Sequence, residues 1–439
     1  MPDSEYRLLP DDREAPRTRL EDYRRAGGYV ALQRAVTSMT RGQVLGEIRT
    51  SSLRGRGGGE VPTAEKLAIV SQAAGDAKYV VCNAYDADPR SLIARTLLGR
   101  DPHRIIEGMA LAGYAIGATE GYLYMRGTPV AAAETVRAAL AEAEEQHVIG
   151  RDLLGSRASF SITLVGVDLG FMAGEETTML EIIKGKRAMP QQRPPYPTQF
   201  GLNDKPTAIL NVETVANLPG IVARGGEAFR RTGADGNPGT KLFTIHGAGL
   251  PEGGALVEVP QGAPLAQALA KAGAQVTAAN ARAVVVGGLE GGALPLAMLN
   301  TALDFNTLDA AGTIVGSSVI EVLPANTCMV AWAASRMAAL SRESCGKCVP
   351  CRVGVKRMAG TLEGIVSDLG NDSDLKLMDE FAEYIPDGSL CGFGVHAVHP
   401  MVTATKYFAD DFKAHLEGRC PTGTCAPVRA HRYVTKHVL

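Results

Sequence analysis

The spacing of apolar residues along the first half of this chain switches repeatedly between a helical and a strand-like period. Residues up to about 50 are charged and helical in pattern. A glycine-rich run, Arg54-Gly55-Arg56-Gly57-Gly58-Gly59, and then Pro62-Thr63 interrupt it before a helical stretch begins at Ala64. The apolar run at 78–83 (Lys-Tyr-Val-Val-Cys-Asn) predicts a buried strand, since short unbroken apolar runs suit strands covered on both faces. A helix is expected around 104–117, a strand at 121–125, an Ala/Glu-rich helix from 129 to about 146, and a strand at 160–166. Such alternation implies an α/β layer with parallel pairing.

Three prolines in the stretch 191–197 (Gln-Gln-Arg-Pro-Pro-Tyr-Pro) remove donors and fix φ, so this is a connecting loop of the kind that often lines sites. The texture changes after about residue 232. Runs at 241–246 and 255–259 flank the turn-rich 249–254 as a hairpin would. A short helix at 264–272 and a strand at 283–286 complete a small β-grasp-like module. From about 328 the pattern is helical again, and this last segment carries most of the cysteines.

Composition adds mainly exclusions. With 439 residues, 45% hydrophobic and 21% charged, the chain is long enough for two to four domains and ordinary for a globular protein. A formal net charge of −2 offers nothing to nucleic acid or an anionic membrane surface. No apolar run reaches the ~18 residues a membrane span needs. The polar start, Met1 to Arg7, lacks the basic and apolar regions of a secretory signal, so a cytoplasmic location is expected. Six of the eight cysteines lie beyond residue 340, and in a reducing compartment such bunching argues for metal ligation rather than disulfides. Cys82 and Cys328 sit among apolar neighbours and read as buried structural thiols.

The sharpest signal is Glu-Ser-Cys345-Gly-Lys-Cys348-Val-Pro-Cys351-Arg. Three thiolates at C-x2-C-x2-C spacing can wrap one face of a [4Fe–4S] cubane, and the fourth iron needs one more ligand. Cys391, in Gly388-Ser-Leu-Cys391-Gly, is the nearest candidate. A structural zinc site is the alternative, although zinc ligands usually arrive as C-x2-C pairs.

That motif, with the later Ser-x-Cys, resembles the NADH-binding flavoprotein subunit of respiratory complex I. The same family occurs in NAD-linked hydrogenases, formate dehydrogenases and benzoyl-CoA reductase complexes. Further landmarks are Leu53-Arg-Gly-Arg-Gly-Gly58, Pro62-Thr63, Lys66, Cys82-Asn83-Ala84, Gly174-Glu175-Glu176-Thr177 and Asn211-Val-Glu-Thr214. The resemblance implies an α/β architecture in four parts. These are an N-terminal segment with the glycine loop (1–63), a Rossmann-like FMN/NAD domain (64–231), a ubiquitin-like β-grasp domain of the SLBB type (232–327) and a helical [4Fe–4S] domain with a cysteine tail (328–439).

It also implies roles. Gly55, Arg56, Gly57 and Gly58 would line the FMN, the glycines letting backbone N–H groups approach its phosphate and ring. Lys66 would bring positive charge to the flavin, and Asn83 and Asn211 would supply amide groups to the ribityl chain and phosphate. Asp86, Asp88, Gly174, Glu175, Glu176 and Tyr196 would border NAD(H), one of the glutamates accepting from the adenosine ribose and repelling a 2′-phosphate. The implied partners are other iron–sulfur subunits, among them a thioredoxin-like [2Fe–2S] subunit and a larger iron–sulfur or catalytic subunit.

The flavin elements depart from the family pattern. Glu60 replaces a glycine expected against the cofactor, and Val61 replaces a phenylalanine that stacks on the nucleotide. Ile69 falls where a second aromatic is common, Tyr85 enters the acidic run, Phe171 replaces a tyrosine and Leu210 replaces an asparagine. A stacked aromatic contributes about 1 kcal/mol beyond its buried area, so nucleotide binding should weaken. Two readings follow: an NADH dehydrogenase-like subunit passing electrons between NAD(H), FMN and the cluster, or a relay that keeps only the cluster.

The tail segment Gly418-Arg-Cys420-Pro-Thr-Gly-Thr-Cys425 resembles hydrogenase-type relatives. Cys420 and Cys425 could form half of a zinc site, completed by His431, His415 or His437, or remain free thiols. His396 and His399, just after Cys391, either tune the cluster from behind its ligands or simply pack.

Overall fold

The structure is a computed structural model that describes residues 7–9 and 15–425. Contacts divide the chain into two compact units, one of residues 1–244 with 256–263 and one of 245–255 with 264–439.

The first unit opens with short helices, α1 (Leu20–Arg25), α2 (Val30–Ser38), α3 (Arg41–Ser51) and α4 (Thr63–Gln72). A parallel sheet follows, built from β1 (Tyr79–Ala84), β2 (Glu120–Arg126), β3 (Ser161–Val167) and β4 (Thr207–Asn211). Its order is β3-β2-β1-β4, with every pair parallel, as the alternation predicts. The crossovers are α5 (Ile93–Arg100) with α6 (Pro102–Ile116), then α7 (Val130–Glu145), then α8 (Glu176–Ile183). α9 (Val212–Arg224) leaves β4 directly, its first turn capped by Asn211, whose side chain accepts the Glu213 N–H. α6 shows how the sequence sets its own limits: Pro102 stands where no donor is needed, and Gly117 at φ +78° ends it. Its Met109, Leu111 and Ile105 are fully buried with Val80, Leu123, Val215 and Leu218 in the main core.

Beyond α10 (Gly226–Arg230) and the short pair β5 (Gly233–Ala234) and β6 (Asn237–Pro238) lies a second sheet. Its strands are β7 (Thr240–Gly247), β8 (Ala255–Pro260), β9 (Ala281–Val286), β10 (Gly292–Pro295) and β11 (Val319–Pro324). The order β10-β9-β11-β7-β8, with α11 (Leu265–Lys271) between β8 and β9, is the expected β-grasp arrangement. After α12 (Phe305–Ala310) come α13 (Met329–Glu343), a π-helical turn at Pro350–Val355, α14 (Lys356–Val366) and α15 (Asp372–Asp387). The short helices α16 (Gly392–His396), α17 (His399–Tyr407) and α18 (Ala409–Leu416) complete the helical region.

Candidate functional site

Strand order reverses between β1 and β4, and in open parallel sheets ligands bind outside the carboxyl ends of the strands at that point. Asn83 and Asn211 pair in register there, at the ends of their strands. The glycine loop reaches the same place. A Cβ added at Gly57 would stand 3.1 Å from the Asn211 Cβ and 3.2 Å from its Nδ2, so only glycine lets this backbone approach so closely. The loop is pinned at its base: Gly55 donates to the Val61 carbonyl at 3.0 Å and Thr63 to Leu53 at 2.9 Å. At its tip Gly58 takes φ +91° and Glu60 φ +50°, the latter a conformation that disfavours a side chain. Arg54 holds Glu60 in that conformation, pairing with its carboxylate at 3.0 Å and donating to its carbonyl at 3.1 Å. The charge expected to repel the cofactor is therefore matched by a cation on the loop's own stem.

Arg56, expected at the cofactor, points the other way. Its side chain is buried, its guanidinium donates to the Pro238 carbonyl at 2.6 Å, and its backbone N–H donates to the Thr214 hydroxyl at 2.9 Å. It anchors the loop in the protein interior beside the buried Lys241–Glu213 pair, whose Nζ and carboxylate are 2.5 Å apart.

The other expected residues fall into four groups. Lys66 donates to Glu176 at 2.6 Å and to the Ile209 carbonyl at 3.1 Å. Arg193 from the proline-rich loop reaches Glu175 at 2.5 Å and Glu176 at 3.4 Å, so two cations meet two carboxylates. Glu175 also caps α8, accepting from the Thr177 and Thr178 amides at 2.9 and 2.7 Å. Asn83 donates to the Gly174 carbonyl at 2.9 Å and accepts from the Tyr85 amide at 3.1 Å, holding the Gly174 turn against β1. Gly174 fits tightly, since a Cβ there would meet the Ala87 Cβ at 2.9 Å. Tyr196 is 54% exposed, as are Val61 (45%) and Ile69 (49%) at the positions lacking an aromatic.

Asp86 and Asp88, expected to border the nucleotide, both bond within the chain. Asp86 accepts from the Ser91 hydroxyl at 2.7 Å and from the first amides of α5, and burial raises its carboxyl above the ordinary range. Asp88 is buried under a two-pronged pair with Arg90. Their local spacing to Ser91 and Arg90 carries that signal, but an acidic run reads equally well as a ligand edge. Sequence reasoning also gave no role to Arg54, Arg126 or Arg193. Arg126 covers the Tyr85 ring at 4.5 Å and donates to the Asp86 and Ala87 carbonyls, so Tyr85 and this arginine brace the loop after β1.

In the second unit the cysteine triplet follows α13. Gly346 takes φ +82°, and Arg352 donates to its carbonyl at 2.9 Å, closing the turn. Burial raises the Cys351 thiol above its ordinary range; the Ser344 hydroxyl works against this, while the sulfurs of Cys345 and Cys348 add to it. Cys391 comes over the triplet through its neighbours. Leu390 donates its amide to Cys348 Sγ at 3.3 Å, a Cβ at Gly388 would strike Pro350, and one at Gly394 would lie 3.3 Å from the Cys351 Cβ. Four thiols on two segments folded over each other suit a cubane with one ligand per iron, and the amide aimed at a sulfur is the kind of donor that tunes such a cluster. His396 and His399 stack on each other at 5.5 Å, and burial pushes His399 down to about 4.

The tail cysteines do not stand alone. Cys420 and Cys425 gather with His415 and Cys328, all four donor atoms within 4.8 Å of one another. Cys328, expected to be a buried structural thiol, is buried, and it also caps α13 and takes its place in this group. His431, the expected histidine, lies outside the described residues, as does His437. No helix among the described residues is long and apolar enough to cross a membrane.

Comparison with known proteins agrees with this anatomy. Residues 48–220 match the model of the Nuo51 FMN-binding domain, and residues 331–415 that of the NADH-ubiquinone oxidoreductase-F iron-sulfur binding region. The F 2 subunit of NADH-quinone oxidoreductase from Rhizobium meliloti (strain 1021) is 38% identical over 92% of this chain and 96% of its own length. The HndC subunit of NADP-reducing hydrogenase from Solidesulfovibrio fructosivorans is 37% identical over 92% of this chain and 82% of its own. Among solved structures, NAD+-reducing [NiFe]-hydrogenase in the H2-reduced state superposes with a TM-score of 0.76 at 30% identity, covering 90% of this chain and 67% of that one. The chain belongs to the family of NADH-quinone oxidoreductase F subunits, with that family's FMN-binding and [4Fe–4S]-binding regions.

Proposed function

We propose that this chain is the electron-transfer subunit of a multi-subunit oxidoreductase, exchanging electrons between NAD(H), FMN and its [4Fe–4S] cluster and passing them to a partner's iron–sulfur centre. The observation that carries the reading is the approach of Gly57 to Asn211 at the strand-order reversal, with the Glu60 charge paired by Arg54.

FMN would be held by Gly55, Gly57, Gly58, Lys66, Asn83 and Asn211, and the nicotinamide nucleotide by Gly174, Glu175, Glu176 and Tyr196. Cys345, Cys348, Cys351 and Cys391 would hold the cluster. FMN supplies the conversion between a two-electron hydride and single electrons, which a cluster can carry only one at a time. The protein's part is placement. The pinned glycine loop brings backbone to the cofactor, the Lys66–Glu176–Arg193–Glu175 array keeps charges in fixed positions, and Asn83 holds the Gly174 turn. The partner that fits such a path is a small thioredoxin-like [2Fe–2S] subunit, with a larger iron–sulfur or catalytic subunit beyond it. Exposed Val61 and Ile69, without aromatic faces, support weak nucleotide binding and a high KM for NADH.

The test is anaerobic purification followed by acid release of FMN, iron assay and NADH-dependent reduction of an artificial acceptor. About one FMN per chain with NADH turnover is expected. Iron without releasable FMN, and no turnover after FMN is added back, would overturn the reading in favour of a relay that keeps only the cluster.

A further inference from the structure

The group formed by Cys328, His415, Cys420 and Cys425 has no part in the flavin and cluster chemistry, yet it has the makings of a built site. Its three sulfurs and one imidazole nitrogen lie within 4.8 Å of one another. Tetrahedral zinc, with Zn–S bonds of about 2.3 Å and Zn–N of about 2.0 Å, needs such atoms about 3.5 to 3.8 Å apart, so only small adjustments separate this set from a coordination shell.

Three of the four ligands are oriented from behind. His415 Nδ1 is 2.7 Å from the Asp411 carbonyl, which can only accept, so Nδ1 carries the proton. In the neutral ring Nε2 then keeps its lone pair, 3.5 Å from Cys328 Sγ. This is the arrangement that fixes the tautomer of a metal-binding histidine. Cys328 caps α13, its Sγ accepting the Ala331 amide at 3.5 Å, and the Thr422 hydroxyl lies 3.3 Å from Cys420 Sγ. Asp411 ties the parts together, its carboxylate accepting from the Met329 amide at 3.3 Å and from Arg282 at 2.7 Å. A donor set of three thiols and one imidazole is soft and selects zinc over magnesium or calcium.

We propose that Cys328, His415, Cys420 and Cys425 bind one zinc ion, which staples residues 420–425 to the amino end of α13. The three thiols bind as thiolates and release their protons to solvent, while His415 binds neutral. Two positive charges on zinc against three thiolates leave one net negative charge, which the first turn of α13 and the Thr422 hydroxyl face. Zinc has no redox chemistry, so the site is structural. α13 spans Met329–Glu343, about 22 Å, and Ser344 and Cys345 follow its other end. The staple therefore secures one end of the helix whose opposite end leads into the first cluster ligand.

The full chain, purified anaerobically, should contain about one zinc per chain besides its iron, measured by elemental mass spectrometry. Cys420→Ser with Cys425→Ser should lose the zinc and keep the iron, whereas Cys345→Ser should lose iron and keep zinc. Hydrogen exchange across residues 409–425 should accelerate by about tenfold in the double variant. Cobalt(II) added to zinc-stripped protein should give tetrahedral thiolate–cobalt bands, and His415→Gln should alter them; if that variant does not fold, the tail double variant gives the same readout. Wild-type protein that neither contains zinc nor takes up zinc or cobalt would overturn the proposal. So would zinc retained in the double variant, or a Cys420–Cys425 disulfide in the anaerobic protein.

Discussion

Arg54 reaches along the stem of its own loop and pairs with Glu60 at 3.0 Å, matching the carboxylate that stands at the tip of the glycine loop. The pair is partly exposed, so its worth to stability is small. Its importance is positional. Arg54→Leu should release Glu60 and weaken FMN binding by about tenfold, the scale of one like charge brought near a phosphate. Arg54→Leu with Glu60→Gly should restore most of that loss. Flavin fluorescence titration of both variants checks this, and equal weakening in the two would show that Arg54 acts in some other way.

Gly57 is set against Asn211 with no room to spare. Gly57→Ala should lift the loop, lowering FMN affinity by about tenfold with a stability change below about 1 kcal/mol. Affinity comes from flavin titration and stability from urea unfolding of the same preparation.

Lys241 and Glu213 form a fully buried pair behind the loop. Lys241→Met alone leaves a buried carboxylate unmatched and should cost about 3 to 5 kcal/mol, while Lys241→Met with Glu213→Leu should recover most of it. Denaturant unfolding of the single and double variants measures the difference.

Burial pushes His103 down to about 4, despite Glu142 at 3.6 Å, with Tyr29 hydrogen-bonded to its Nδ1 at 2.8 Å. The unfolded chain takes up this proton near the ordinary value of about 6.5, the folded one only near 4. Its contribution is therefore complete above about 6.5 and declines as pH falls toward 4, by about 3 kcal/mol in all. His103→Asn should flatten the loss of stability over that window relative to wild type. Unfolding free energies at several pH values report the difference.

Cys391 is brought over the triplet by its own neighbours, Leu390 and Gly394. Cys391→Ser should lower iron content and change or abolish the electron paramagnetic resonance signal of the reduced cluster, leaving acid-released FMN unchanged. An unaltered signal with full iron would assign the fourth ligand elsewhere.

Much of this was legible in local pattern. The apolar run at 78–83, the helix closed by Gly117 and the hairpin around residues 249–254 all declare themselves through period and turn chemistry. β4 and β10 did not, since five and four positions cannot establish a period, and β11 also went unassigned. The intrachain partners of Asp86 and Asp88 went unread for another reason. An acidic run reads alike whether its carboxylates face a ligand or, as here, cap α5 and clamp Arg90.

By itself, then, the sequence determined the order of parallel α/β layer, β-grasp and helical segment, and the spacing of the cysteine triplet. Those are properties of neighbouring residues, written in period, turn residues and thiol spacing. Only the tertiary structure decided that Arg56 turns inward, that Arg54 takes up the Glu60 charge, and that Cys328 meets His415 across 87 positions of chain. A side chain's partner depends on how the backbone is brought back on itself, and no local pattern records that return.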